Sequence, residues 1–293
     1  MENFQSLKRR KRLNPFSIRR KRIWDAIWSN ALVILLVLVW MIPIFWIIAS
    51  SFSADKGYSS PTFFPTSYTL NNYKTLFTET EFPTWLLNTF IIALCNTVLT
   101  TFFTLVTAYC LSRFRFNSRK FMINVSLILG MFPGFMSMVA VYFILNMLNL
   151  INSYWALLVY YVCGAGLGFF VSKGYFDTIP KDIDEAARLD GANQFATFLR
   201  IFLPLAKPIL IYTALMAFMA PWADYILASL ILTDDSAKTV AVGLYSWMDP
   251  TKINTYFGKF AAGSCIVAIP IVGLYISLQK CFIAGISSGA VKG

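Results

Sequence analysis

The sequence predicts an all-α integral membrane protein with six transmembrane helices and both termini on the cytoplasmic side. Charge is scarce: 13% of the 293 residues are charged and 57% are hydrophobic, with a mean hydropathy of +0.62, against about 25% charged in ordinary soluble domains. Charge is also segregated. No Asp, Glu, Lys or Arg occurs between Asp25 and Asp55, between Glu81 and Arg113, between Lys120 and Lys173, or between Lys259 and Lys280. A helix needs roughly 20 apolar residues to cross about 30 Å of hydrocarbon, and these runs supply them. Core helices of a large soluble protein would need a polar coat, and the remaining charged residues are too few to make one.

The third observation is where the basic residues sit. Nine of the 25 lie in the first 22 positions, from Lys8 to Arg22, directly before an apolar run. Such an arm is a topology signal or an anionic-lipid contact before it is a nucleic-acid site, so the net charge of +11 implies membrane lipid and no nucleic acid. The apolar run after it, Ala26 to Ser50, is longer than the 7–15 residues of a signal-peptide core, which makes it an uncleaved anchor.

Taken in order, the expected spans are residues 24–50, 84–111, 121–145, 154–176, 208–233 and 260–283, following a basic arm over 1–23 and preceding a tail over 284–293. Ser53 to Pro83, with three prolines, Gly57, Asn71 and Asn72, reads as an ordered external loop. Asn146 to Ser153 divides the longest uncharged run into a helical hairpin. With this alternation, 20 basic residues fall on one side and five on the other, which places the first side in the cytoplasm. Gly164, Gly166 and Gly168, and the threonines from Thr97 to Thr107, suit close helix packing in a bilayer or the lining of a passage. The five cysteines make no close pair and histidine is absent, so no metal site is expected. Asp224 lies inside the fifth span, where an ionised carboxylate costs at least about 2.5–3.5 kcal/mol. It should face protein as a hydrogen-bond acceptor or, in a secondary transporter, couple a proton.

The most informative stretch runs from Asp177 to Lys207. Pro180 suits a first helical position, and Asp182, Asp184 and Glu185 favour the positive end of a helix. Gly191 ends that helix, Asn193 caps a second one reaching about Phe202, and Pro204 limits it. Ala186 and Ala187 form a flat patch between Glu185 and Arg188, while Leu189, Phe195, Phe198, Leu199 and Phe202 add apolar mass. A water-facing element with an apolar face needs something to pack on: its own membrane domain, or a groove on a partner.

Glu185-Ala186-Ala187, Gly191, and then Ile201-Phe202-Leu203-Pro204 resemble the signature loop of the membrane-spanning permeases of binding-protein-dependent ABC importers. The wording Leu189-Asp190-Gly191-Ala192, the Trp222-Ala223-Asp224-Tyr225 element and the tail Gly-Ala-Val-Lys-Gly are similar to the six-span sugar permeases, in particular the second permease of maltose/maltodextrin importers. Ala223 departs from that family's usual Asn. The resemblance implies that Glu185, Ala186, Ala187, Asp190, Gly191, Ile201 and Pro204 belong to paired coupling helices that dock on an ATPase. It further implies that Gly289, Val291, Lys292 and Gly293 of the tail reach that ATPase, and that Tyr245 and Trp247 meet an extracytoplasmic sugar-binding protein. The implied partners are a second, non-identical permease, an ATPase homodimer holding ATP and Mg2+, and that binding protein. The site would be the cytoplasmic membrane of a bacterium. No Gly-x-x-x-x-Gly-Lys-Ser/Thr loop occurs, so the chain itself is expected to bind no cofactor and to be a transport subunit rather than an enzyme. A secondary, ion-coupled transporter and a non-transporting scaffold subunit are the alternatives.

Overall fold

In a computed structural model, which describes residues 15–54, 64–131 and 134–290, each expected span is helical, but the spans are built in two ways. Three are unbroken: α1 (Pro15–Ser51), α3 (Phe82–Arg113) and α14 (Ile253–Ala290). Within them, Trp24–Ser51, Phe82–Arg113 and Ile253–Gln279 are long and apolar enough to cross a bilayer. The expected third span holds α4 (Arg119–Gly130) and α5 (Gly134–Met147), with residues 132–133 outside the described residues. The other two are divided, and the fourth is α6 (Tyr154–Gly168) and α7 (Phe170–Asp177). The fifth is α11 (Lys207–Ala223) and α12 (Ile226–Ile231). Among the described residues no strand occurs, only one isolated bridge, Ser53 to Tyr68.

Two boundaries differ from the sequence reading. The basic arm is already helical at Pro15, where the described residues begin, and Arg19 to Arg22 are good helix formers. Residues 1–14 lie outside the described residues. The external loop contains a short helix, α2 (Asn71–Thr78). Asn72 pins it to the end of α1 by donating to the carbonyls of Ser51 (3.1 Å) and Ser53 (2.8 Å).

α3 is the centre of the fold. It packs against α6, α7, α11 and α13, while α1 lies along α14 at the periphery. Its buried side chains enter three apolar clusters in turn: Phe82, Trp85 and Ala93 in one, Ile92 in the next, and Leu105, Ala108, Tyr109 and Leu111 in the third. At one end α13 (Val240–Ser246) presses directly on α3. A Cβ at Gly243 would sit 2.0 Å from the Trp85 ring, so only glycine permits this approach.

Polar groups on the same helix satisfy backbone that the broken spans release. Pro221 has no N–H to give the Ala217 carbonyl one turn earlier. Asn96 of α3 takes its place, donating to Ala217 O at 2.7 Å from a fully buried position. The break after α11 falls at Asp224, which is extended (ψ 102°). Its carboxylate accepts from the Leu227 backbone N–H (3.1 Å), opening α12, and from Tyr161 Oη (2.8 Å). The expected acceptor role therefore has its partners, at a helix break rather than mid-helix.

Replacing Asn96 by Ala should leave the Ala217 carbonyl unpaired and lower stability by about 1–3 kcal/mol, measured by thermal unfolding in detergent. In a Pro221→Ala background the restored N–H should shrink that loss. An undiminished loss would show that Asn96 acts elsewhere.

Candidate functional site

The segment between α7 and α11 forms a compact knob at the end of the molecule that carries Arg113, called here the basic end. Its first helix, α8 (Asp182–Leu189), begins with three acidic residues and ends with Arg188, the arrangement that the helix dipole favours. Lys181 is its N-cap, so Pro180 lies just before the helix instead of at its first turn. Gly191 stops it with φ +79°. The N–H of Gly191 bonds the Arg188 carbonyl (3.0 Å) and that of Ala192 bonds the Ala187 carbonyl (2.9 Å), a Schellman closure.

Asn193 then caps the second helix by accepting from the Ala196 N–H at 2.8 Å. That helix starts as α9 (Gln194–Thr197), widens into one π turn over Phe198–Phe202 and continues as α10 (Leu203–Leu205). Pro204 therefore lies inside it and does not end it. The wider turn relaxes the hydrogen-bond register where proline enters. The real corner is at Ala206, where the chain turns by 86° into α11.

The knob has an inner and an outer face. Ala187, Thr197, Phe198 and Phe202 are buried. The rings of Phe198 and Phe202 lie 4.9 and 5.0 Å from that of Tyr109 on α3. The outer face shows Ala186 with Leu189 (89% exposed), Phe195 (67%) and Leu199 (42%), flanked by Glu185, Arg188 and Asp190. Ile201 is half-buried and Pro204 exposed. The expected outward Ala186–Ala187 patch is thus only half correct. Neighbouring helical residues differ by about 100°, and Ala187 turns toward its own membrane domain.

Arg113, the last residue of α3, fastens the knob. Its guanidinium donates to the carbonyls of Phe176 (3.0 Å) and Ile179 (2.8 Å), lies 4.6 Å above the Phe202 ring, and its Nε stands 3.4 Å from Asp184 of α8. Next to it, Ser112 donates to Asp177 (2.6 Å), which also pairs with Lys173 at 2.6 Å. Burial works against ionisation of Asp177, but the Lys173 and Ser112 bonds outweigh it and hold the carboxyl below its ordinary range. For Asp184 the balance reverses: burial raises its carboxyl although Arg113 and Arg188 pull it down. A polar cavity of about 900 Å3 opens between these residues and Arg115 and Lys181. Sequence reasoning counted Arg113 only toward topology. Its contacts lie more than 60 residues away, beyond any local pattern, although its place as the first charge after the long run before it was visible.

The remaining expected residues lie elsewhere. Tyr245 is exposed, with its ring 4.0 Å from Tyr225. Trp247 is not at the surface: it is 5% exposed, 5.3 Å from Trp85 and stacked on Tyr256 at 5.4 Å. As a large aromatic near α3 it fills the core, so it is no docking residue. Gly289 is in the last turn of α14, while Val291, Lys292 and Gly293 lie outside the described residues.

This knob and bundle match a known family over most of the chain. Residues 101–281 match the model for the binding-protein-dependent transport system inner membrane component. The chain belongs to that family of ABC-importer permeases. It is 40% identical over 280 residues to the maltodextrin transport system permease protein MalD of Streptococcus pneumoniae, covering 94% of this chain and 99% of that one. Identity is 37% to the maltodextrin permease MdxG and 33% to the galactooligosaccharides permease GanQ, both of Bacillus subtilis, with 93% of this chain and 98% of each relative covered. A chain from the crystal structure of a bacterial transporter that imports the polysaccharide alginate superposes with a TM-score of 0.76 at 23% identity, over 89% of this chain and 97% of that one. This likeness concerns the fold. Membership makes the chain a multi-pass bacterial membrane protein, a transport component of the kind that the signature loop implied.

Arg113→Ala should destabilise the permease by about 2–4 kcal/mol, since it strands two carbonyls and a buried carboxylate. Asp184→Asn takes away the carboxylate but leaves the Arg113 guanidinium on its two carbonyls, and should cost less, about 1–2 kcal/mol. Thermal melts of the two purified variants test this ranking, and equal losses would contradict it.

Proposed function

We propose that this chain is one of two non-identical permease subunits of an ATP-driven importer for an oligosaccharide of the maltodextrin type. The observation that carries the reading is the knob itself: firmly anchored on its inner face, apolar and exposed on its outer one. A water-facing element with Leu189 and Phe195 this exposed is explained by a partner groove. In this reading the partner is an ATPase homodimer, which holds ATP and Mg2+, and Glu185, Asp190 and Gly191 rim or shape the contact. The tail residues Gly289, Val291, Lys292 and Gly293 approach the same ATPase.

The divided segments complete a six-crossing bundle with both termini in the cytoplasm, as the basic-residue asymmetry requires. Closure of the ATPase pair pushes the knob, and alternating access moves the sugar. The chain contributes a path and a lever while hydrolysis is done by the separate subunit. A sugar-binding protein delivers the substrate on the opposite side, where Tyr245 is exposed. A second structural relative supports that partner by its description, a bacterial alginate transporter "in complex with alginate pentasaccharide-bound periplasmic protein" (TM-score 0.63, 14% identity).

Ala186→Glu and Leu189→Glu should abolish retention of the ATPase in pull-downs, and with it uptake, at normal permease abundance. Ala187→Glu instead buries a carboxylate in the permease and should lower its yield. Normal ATPase retention by both outer-face variants would overturn the docking assignment and favour a self-sufficient, ion-coupled transporter. For orientation, a cysteine at Asp249 should react with a membrane-impermeant maleimide in whole cells, and one at Asn117 only after lysis. Labelling at Asn117 in intact cells would reverse the topology.

A further inference from the structure

α12 follows α11 in sequence but is not bonded as its continuation. The chain is extended at Asp224 between the two helices. In an unbroken helix the Leu227 N–H would meet the carbonyl of Ala223, four residues earlier; here it meets the Asp224 carboxylate at 3.1 Å.

What holds α12 is the hairpin formed by α5 and α6. At the start of α12, Tyr161 of α6 donates to that same carboxylate at 2.8 Å. At its end stands Asn152, in the turn between α5 and α6, with φ +61°, a left-handed backbone that asparagine accepts better than most side chains. Its N–H donates to the Ile231 carbonyl (2.8 Å), one of those that a helix end leaves unmatched. Its Oδ1 accepts from the N–H groups of Thr233 and Asp234, each at 3.2 Å, and its Nδ2 donates to the Asp234 carboxylate. Between these two pins Leu227, Ala228 and Ile231 are fully buried, in one apolar cluster with Leu145 of α5 and Ala156 and Leu157 of α6. The loop beyond Asp234 is fastened to α3 through Trp85, Asn88 and Thr89.

We propose that α12 moves with the α5–α6 hairpin as one body through the transport cycle, and that Asn152 is the positioning residue that keeps it there. The inference rests on the importer reading above and adds where the fifth span divides mechanically. α11 is the part that a displaced knob turns, pivoting at Asp224, while α12 stays with the hairpin and the outer end of α3. Without the clasp at Asn152, α12 would follow α11. A push on the knob would then no longer change the angle between them, and ATP would be hydrolysed without import.

The test uses the complete importer, reconstituted in vesicles with its binding protein and with maltotetraose as the probe. It reads the sugar imported per ATP hydrolysed, alongside abundance and melting temperature. Asn152→Asp keeps an acceptor for the two N–H groups but sets a second carboxylate against that of Asp234, and should cut the ratio about fivefold. Adding Asp234→Asn exchanges the donor and acceptor roles of the two side chains, re-forms the clasp, and should restore the ratio to near wild type. An unchanged ratio in Asn152→Asp, with only melting temperature or abundance lowered, would reduce Asn152 to a folding role and overturn the proposal. A covalent arm asks whether the partners ever part. Asn152→Cys/Asp234→Cys, joined by a short thiol-specific cross-linker, should import at least as well as the same variant left unjoined, with the two single-cysteine variants as controls for the reagent. Arrest of import on joining would show that the hairpin and α12 separate during the cycle, and would overturn the proposal. Either overturning result beside normal wild-type import strikes this inference alone. Failure of the wild-type assembly to import any sugar removes the importer reading, and this inference with it.

Discussion

Hydrocarbon offers no partner to a backbone N–H or C=O, so every interruption of a membrane helix must be repaired by protein. That constraint organises this molecule. Pro221 frees the Ala217 carbonyl, and Asn96 repairs it. The loop after α12 exposes further backbone groups, and the same helix meets them. Trp85 donates to the Asp235 carbonyl (2.7 Å), and Asn88 donates to those of Ser236 (2.8 Å) and Lys238 (3.1 Å). Thr89 accepts from the Val240 N–H at 2.8 Å. Counted from Trp85 these residues lie three, four and eleven positions along α3, so helical periodicity gathers them on one stripe. The unbroken helix is thus the surface against which broken ones become permissible.

The same logic separates what could be read from the sequence from what could not. The fold class and the approximate helical segments follow from runs of apolar residues, which need no tertiary information. The cap at Asn193 and the left-handed Gly191 were equally legible, because capping is chemistry within three or four residues. The breaks were not. Hydropathy averages over a window and registers neither the hydrogen bond that Pro221 removes nor the extended backbone at Asp224. Orientation of short helices failed for a related reason: α8 has eight residues, too few turns for its pattern to decide between Ala186 and Ala187. Trp247 resembled a recognition aromatic by composition alone, and only the approach of Trp85 and Tyr256 reveals it as core. Arg113 is the clearest omission. Its role depends on carbonyls brought to it by the fold, and nothing in its own neighbourhood announces them.

Those two kinds of element, the continuous and the interrupted, divide the mechanical work. α3 is bonded at one end to the loop around Ser236 and Val240, and at the other to the linker and knob through Ser112 and Arg113. Its 32 residues contain no proline beyond the first turn, so its own ladder of hydrogen bonds resists bending. The path through α10, α11 and α12 is different. It turns by 86° at Ala206 and breaks again at Asp224, whose own carboxylate holds the second break by accepting from Tyr161 of α6 and from the Leu227 N–H of α12. A change of angle there exchanges side-chain bonds without disrupting a backbone ladder, and side-chain bonds re-form with less rearrangement. If a partner displaces the knob as proposed, the two breaks at Ala206 and Asp224 are where the chain would take up the movement, while α3 keeps its hydrogen bonds at both ends.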